Sequence, residues 1–346
     1  MSRDAAKTAF LTAAGWGGAE ISPLAGDASN RRYERLANGP GGAHAVLMDA
    51  PAERGEDISI FLAFTGLLRG MGFSAPDVLE ADIAAGFAII EDLGDALYAR
   101  VAASTPALET PLYEAAVDLL AAMHAAPPPT VAKGSGAEVA IPPYDGAVLR
   151  REARLALDWW RKGVAGEAPG DDLLAEYDAL IDAACAEVEG DRSALVLRDY
   201  HAENLLWLPD RTGHRRVGLL DYQDALLGSP AYDLVSLLED ARRDTGADLR
   251  EAMSARYVAA AGADDTSFRA AYSALGAQRN LKIVGIFARL HLRDGKPAYL
   301  DLIPRVWDHL QRDLAHPALS PLADFVAREI PAPTPERLTR IMAARA

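Results

Sequence analysis

From Gly94 onward the chain carries an almost continuous helical pattern, which breaks once, between residues 195 and 220, into three short apolar runs. These are Leu195 to Leu197, Leu205 to Leu208 and Val217 to Leu220, too short for helices and bounded by polar turns, so they read as strands. The loop after the first run is Arg198-Asp199-Tyr200-His201-Ala202-Glu203-Asn204, and the last run leads into Asp221-Tyr222-Gln223-Asp224. An Asp and an Asn five apart on one loop, with a second Asp directly behind a buried strand, supply a carboxylate base and two hard oxygen donors. Phosphoryl transfer needs those parts: a carboxylate to orient the acceptor hydroxyl and take its proton, and oxygen ligands to hold Mg²⁺ against the phosphates. Asp199 fits the first role, Asn204 and Asp221 the second. Asp and Asn also favour ordinary turns, so the reading depends on what precedes them. Asp224 is open between metal binding and a supporting or surface role.

What precedes them is an alternation of strands and one helix. Ser2 caps a short helix with an apolar stripe at Ala5, Ala9, Phe10 and Ala13, ended by Gly15. Ile21 to Ala25, Arg31 to Ala37 and Ala43 to Asp49 read as strands, separated by the turns at residues 26–30 and 38–42. Ile58 to Arg69 is helical, and Val78 to Asp82 and Phe87 to Ile90 are two further strands. The expectation is an α+β, protein-kinase-like bilobal fold. A five-stranded N-lobe sheet with one helix occupies residues 1–92, and a mainly helical C-lobe occupies residues 93–346. In that second part helices are expected over Thr110 to Ala125, Ala147 to Lys162, Asp171 to Val188, and at roughly 231–242, 247–261, 266–292, 298–313, 319–328 and 335–345, with a loop from Pro127 to about Pro143.

Bulk properties exclude other classes. Lys plus Arg is 35 against 50 Asp plus Glu, a net charge of −15, and no basic run occurs. Such a chain is repelled by nucleic acid and anionic membranes. Cys185 is the single cysteine, which rules out an internal disulfide and a cysteine-based zinc site. With neither a signal-peptide pattern nor an 18-residue apolar window, the expectation is a cytoplasmic monomer with no nucleic-acid or membrane partner.

Arg198-Asp199 followed by Asn204 resembles the kinase catalytic loop H-R-D-x-x-x-x-N, with Leu197 in place of the His. Asp221 stands where the metal-binding Asp of D-F-G lies, but Tyr222 and Gln223 follow. That form, and Gly228-Ser229-Pro230-Ala231-Tyr232-Asp233-Leu234, resemble the aminoglycoside-phosphotransferase and choline-kinase branch. The resemblance implies that Asp233 braces the catalytic loop. It also places the turn at 26–33 over the nucleotide phosphates, with Ser29, Asn30, Arg31 and Arg32 as candidate contacts. The junction Glu91-Asp92-Leu93-Gly94 falls where adenine meets main-chain groups of Glu91 and Leu93. The third strand departs from the pattern: Met48 takes the place of the usual lysine, and residues 58–70 contain no acid. Another cation, such as Arg32, must then support the phosphates, or the chain is inactive.

Gly-Asp-Ala-Ser (26–29) with Arg31-Arg32-Tyr33, Met48-Asp49-Ala50-Pro51, Glu-Asp-Leu-Gly-Asp (91–95), Pro142-Pro143-Tyr144-Asp145 and residues 279–290 look like the anomeric N-acetylmuramate/N-acetylglucosamine kinases of cell-wall recycling. That resemblance implies ATP, Mg²⁺ and an amino sugar substrate phosphorylated at C1. His201 and Glu203 are candidates for sugar hydroxyls and Arg279 for a lactyl carboxylate. The alternatives are an aminoglycoside or other amino-alcohol kinase and a nucleotide-binding pseudokinase.

Overall fold

The computed structural model describes residues 2–24 and 31–344. They form two compact units, each built from several stretches of chain. The first comprises residues 1–116, 129–141 and 203–224, and the second residues 117–128, 142–202 and 225–346. Neither is one continuous stretch such as 1–92.

The first unit opens with α1 (Arg3–Ala13), capped by the Ser2 hydroxyl. It continues with β1 (Glu20–Pro23), β2 (Arg32–Ala37), β3 (Ala45–Asp49), α2 (Ile58–Gly70), β4 (Val78–Asp82) and β5 (Phe87–Glu91). The strands pair antiparallel in the order β1-β2-β3-β5-β4, so the expected five-stranded sheet with one helix between its third and fourth strands is present. Central β3 is buried at every position and reads as an unbroken apolar run ending in Asp49. Asp49 is buried because Arg3 of α1 pairs with it, Nε at 2.9 Å, while stacking on Phe87 at 3.8 Å.

Helix α2 is apolar nearly all round, a pattern that demands cover on more than one face. Part of that cover lies where a loop was expected from Pro127 to Pro143. There the chain forms a hairpin, β6 (Val131–Gly134) with β7 (Ala137–Ala140). The turn between them is Ser135-Gly136, both at positive φ (46° and 80°), the primed geometry that two-residue hairpins require. The approach to α2 is backbone to backbone: a Cβ on Gly66 would lie 2.4 Å from the Gly134 Cα and the Lys133 carbonyl. After β5 come α3 (Tyr98–Ser104), a helix the sequence pattern did not single out, and the start of α4 (Glu109–Ala125).

The second unit is mainly helical. It contains the end of α4, α5 (Gly146–Ala153), a π-helical segment at Ala156–Arg161, α6 (Lys162–Ala165), α7 (Asp171–Cys185), the strand β8 (Ala194–Val196) and, beyond the first unit's β9 (Leu205–Trp207) and β10 (Val217–Leu219), the strand β11 (Leu226–Gly228). Then follow α8 (Ala231–Leu238), α9 (Ala247–Ala261) and the 28-residue α10 (Asp265–Leu292), capped by Asp264. Helix α8 stops short of the expected residue 242; the Thr245 hydroxyl donates to the Leu238 carbonyl at its end. Helix α10 is the spine of the unit, with Gly285 pressed so closely on Leu155 that a Cβ would meet its carbonyl carbon at 2.1 Å. Cys185 is buried, and burial pushes its thiol up to about 12, as suits a structural residue.

Candidate active site

In the first unit the short strands β9 and β10 pair antiparallel, Leu205 opposite Leu219 and Trp207 opposite Val217. Asn204 precedes Leu205, and Leu220-Asp221 follow Leu219, so both polar residues leave the ladder at one end. The Leu220 N–H donates to the Asn204 carbonyl at 3.0 Å and extends the pairing to the site itself. Asp221 sits at φ 55°, in the left-handed region that Asp and Asn enter more readily than other side chains. Its Oδ1 accepts from Gln223 Nε2 at 2.8 Å. Among the described residues no three His, Cys, Asp or Glu gather as a metal site. Two oxygen donors leaving one ladder end are what Mg²⁺ takes when phosphates and water complete its shell.

Tyr222 turns the other way. It is buried, stacks on Phe61 with ring centroids 5.6 Å apart, and its hydroxyl lies 2.6 Å from Thr65 Oγ1. The tyrosine thus ties the segment carrying Asp221 to α2. Burial raises its phenol well above the ordinary range.

At the start of β2, Arg31 and Arg32 part company. Arg32 is exposed, with its backbone opposite Asp49. Arg31 is largely enclosed, and its Nε donates to Glu56 Oε2 at 2.8 Å. Tyr33 adjoins Arg31, and Asp221 is among the charges acting on its phenol, which burial raises. Glu56 lies just outside residues 58–70, where no acid occurs. Ser29 and Asn30 lie outside the described residues.

At the junction after β5, the Glu91 N–H already donates to the Asp77 carbonyl at 2.8 Å, which leaves the Glu91 carbonyl and Leu93 as main-chain candidates for a base. Arg35 fixes the segment by forking onto Asp92 (2.6 Å) and Asp95 (3.0 Å). Gly94, at φ 83°, takes the turn that a side chain would strain.

The second unit holds Asp199. Strand β8 pairs with β11, Val196 opposite Leu226, and delivers the chain to Leu197 and Arg198. Their N–H groups donate to the two Asp233 carboxylate oxygens at 2.6 and 2.8 Å. Asp233 lies in the first turn of α8 and is fully buried. Burial pushes its carboxyl up to about 7, against the two N–H bonds that favour the charged form. Arg198 stands at φ 72°, a strained conformation for a long side chain that costs about 1 kcal/mol or more. It is held there by Glu152, to which its guanidinium donates, and by the Tyr144 ring 5.6 Å away. Glu152 also accepts from the Tyr144 hydroxyl and pairs with Lys282 Nζ at 3.2 Å. Burial works to raise the Asp199 carboxyl, but Lys282, His201, Arg279 and Arg198 outweigh it and hold it below its usual value, so Asp199 is ionised at neutral pH.

Of the proposed acceptor contacts, His201 is buried and acts electrostatically on Asp199, while Arg279 is 5 % exposed and donates to Ser236 Oγ at 2.8 Å. Glu203 is half-buried in the first unit. His291 and His309 are buried and His124 is half-buried: His124 lies against Tyr257, His291 on the Ile341 carbonyl and His309 beside Arg312.

A family model described as "Phosphotransferase enzyme family" matches residues 20–272. This chain belongs to the phosphotransferase enzyme family. The N-acetylmuramate/N-acetylglucosamine kinase of Caulobacter vibrioides is 43 % identical to it, over 96 % of this chain and 98 % of that one. A choline/ethanolamine kinase family protein of Mesorhizobium loti shares the fold with TM-score 0.57 at 16 % identity, covering 99 % of both chains. An aminoglycoside phosphotransferase of Streptomyces rimosus, solved with ADP and streptomycin, gives TM-score 0.50 at 19 % identity over 80 % of this chain and 99 % of that one. The fold is therefore the kinase-like one, and the chain is an enzyme that transfers phosphate to an alcohol.

For this phosphotransferase, sequence reasoning missed Glu152, Lys282 and Glu56. Glu152 and Lys282 sit in helices among other charged residues, 46 and 84 positions from Arg198, and only tertiary packing gathers them. Among the described residues no helix is long and apolar enough to cross a membrane.

Proposed function

We propose that this phosphotransferase is an amino-sugar kinase that moves the γ-phosphate of ATP to the C1 hydroxyl of N-acetylmuramate, N-acetylglucosamine or both, supplying sugar 1-phosphates for reuse in cell-wall recycling. The observation that carries the reading is the 43 % identity, over nearly the full length of both chains, to a kinase named for those two sugars. In this reading Asp199 orients the acceptor hydroxyl and takes its proton. Asn204 and Asp221 hold Mg²⁺, which when bound neutralises charge building on the phosphates. Asp233 keeps the loop in register by accepting its two N–H groups. The depressed Asp199 carboxyl is a weak base, which suits an anomeric hydroxyl because that group is more acidic than an ordinary alcohol.

The charges around Asp199 favour this acceptor over a polycationic antibiotic. Lys282 and Arg198 are paired with Glu152, and Arg279 is the further cation acting on the proposed base, a setting that suits a neutral or anionic sugar. The lactyl carboxylate of N-acetylmuramate is the anion Arg279 is proposed to meet, with His201 and Glu203 on the sugar hydroxyls. Residues 1–92 are proposed as the nucleotide lobe and 93–346 as the acceptor lobe of a cytoplasmic monomer.

The test is an ADP-release assay with ATP and Mg²⁺ against N-acetylmuramate, N-acetylglucosamine, its 1-O-methyl glycoside and kanamycin, with phosphorus NMR of the product. Turnover of the free sugars, none of the glycoside, and a C1 phosphate signal support the reading. Turnover of kanamycin alone, or of the glycoside at the rate of the free sugar, overturns it.

A further inference from the structure

The kinase layout pairs a lysine on the third strand with a glutamate on the following helix, and the lysine orients the nucleotide phosphates. Here β3 runs Ala45-Val46-Leu47-Met48-Asp49, without a lysine, and Met48 is 1 % exposed within the sheet core. The one acid at the end of β3, Asp49, is committed to Arg3. A largely enclosed ion pair nevertheless joins the segment entering the sheet to the segment entering the helix, made from different residues. Arg31 immediately precedes β2, and Glu56 stands two residues ahead of α2, next to its N-cap Asp57. Their side chains are 13 % and 14 % exposed and 2.8 Å apart.

Enclosing an ion pair to that degree costs desolvation that a surface pair avoids, and hydrophobic residues in its place are often no less stable. Such a pair in a sheet-to-helix position calls for a use. Its geometry supplies one. Arg31 gives its Nε to Glu56 and also hydrogen-bonds the Tyr33 side chain, and a guanidinium so held presents its remaining N–H donors in a fixed plane, the shape that suits phosphate oxygens. Tyr33, adjoining the guanidinium, also lies within electrostatic reach of Asp221, so Arg31 belongs to the neighbourhood of the candidate metal ligand.

We infer that Arg31, held by Glu56, is the phosphate-orienting cation of the nucleotide site, in the role a third-strand lysine has elsewhere. Arg31 is the contacting residue and Glu56 its positioning residue; exposed Arg32 has no part in it. The inference rests on the proposed use of ATP by this chain but not on the identity of the acceptor.

The experiment compares full-length Arg31→Met, Arg31→Lys, Glu56→Gln and Arg32→Met. Calorimetry measures binding of a non-hydrolysable ATP analogue with Mg²⁺ and, separately, of adenosine; initial rates give KM for ATP and for the acceptor; thermal melting checks folding. Arg31→Met is expected to weaken the ATP analogue about a hundredfold and leave adenosine unchanged. Arg31→Lys restores part of the loss. Glu56→Gln raises KM for ATP about tenfold with acceptor KM unchanged, and Arg32→Met changes nothing. Analogue binding within threefold of wild type in Arg31→Met overturns the inference. So does an equal loss of adenosine and analogue in a folded variant, because that marks a structural role. If Arg31→Met does not fold, Arg31→Lys and Glu56→Gln carry the same comparison. Absence of sugar turnover by the wild-type protein, with Arg31-dependent analogue binding intact, sinks the acceptor assignment and leaves this inference standing.

Discussion

The Glu152 carboxylate and the Lys282 ammonium meet at 3.2 Å, and the same carboxylate receives the Arg198 guanidinium and the Tyr144 hydroxyl. One acid therefore neutralises two cations in the interior and holds Arg198 in its left-handed conformation. The Glu152 carboxyl sits below its usual value: burial raises it, but Lys282, Arg198 and the Tyr144 hydroxyl together outweigh that.

Glu152→Gln leaves Lys282 and Arg198 enclosed without their counter-charge. Removal of one partner of a buried ion pair costs about 3–5 kcal/mol. The variant is expected to lose that much in a urea unfolding measurement. Lys282→Met added to it returns part of the stability, because the second cation no longer needs a partner. Additive losses in the double variant show that the three groups do not act together.

Asp199→Asn keeps the shape of the side chain and removes the proposed base. Turnover is expected to fall by about a hundredfold to ten-thousandfold, with nucleotide affinity by calorimetry unchanged. Burial works to raise the Asp199 carboxyl, but Lys282, His201, Arg279 and Arg198 hold it below its usual value, so it stays ionised at neutral pH. An acid limb near pH 7 in the pH–rate profile therefore belongs to another group, Asp233 being raised to about 7, and is expected to disappear in a slow but active variant such as Asp233→Asn.

Much of this was legible in the sequence, for identifiable reasons. Alternation and glycine turns announced β2 to β5, and the apolar runs around 205 and 219 announced short strands beside Asn204 and Asp221. The β6–β7 hairpin carried its signal too, a Ser135-Gly136 pair between alternating residues, but the Pro127-Pro128-Pro129 run beside it suggested a loop. Glu56, Glu152 and Lys282 had no local signal. A charged side chain on a helix or in a turn reads as solvated unless the cation or acid it meets is known, and those partners lie 25 residues or more away. The choice between Arg31 and Arg32 was equally closed to pattern reading, since only packing encloses one and exposes the other.

Gly66→Ala tests the hairpin's seat on α2. Alanine improves intrinsic helix propensity by about 1 kcal/mol. Its Cβ, however, would meet backbone atoms of Lys133 and Gly134 at 2.4 Å, and neither can rotate away. Forced overpacking costs about 1–3 kcal/mol, so the clash wins. A lower melting temperature is expected; a higher one shows that the hairpin yields freely.

His124 sets the last expectation, a dependence of stability on pH. Burial pushes His124 down to about 4, and its Nδ1 lies 2.8 Å from the Tyr257 hydroxyl. In the unfolded chain it titrates near 6.5. Between those values the unfolded state holds the extra proton, so stability falls as pH falls, by about 1.4 kcal/mol per unit for this group. Asp233 runs the other way: raised to about 7, it binds its proton in the folded state first and adds stability as pH drops from 7 towards 4. The total curve is a sum of opposed slopes, so the wild-type profile alone decides little. The difference between wild type and His124→Asn isolates the histidine, since asparagine can keep the bond to Tyr257 and cannot titrate. Wild type is expected to lose stability relative to that variant steadily from pH 6.5 to pH 4, with no relative change above 7.5. Parallel curves across that range show that His124 titrates in the folded protein as it does in the open chain.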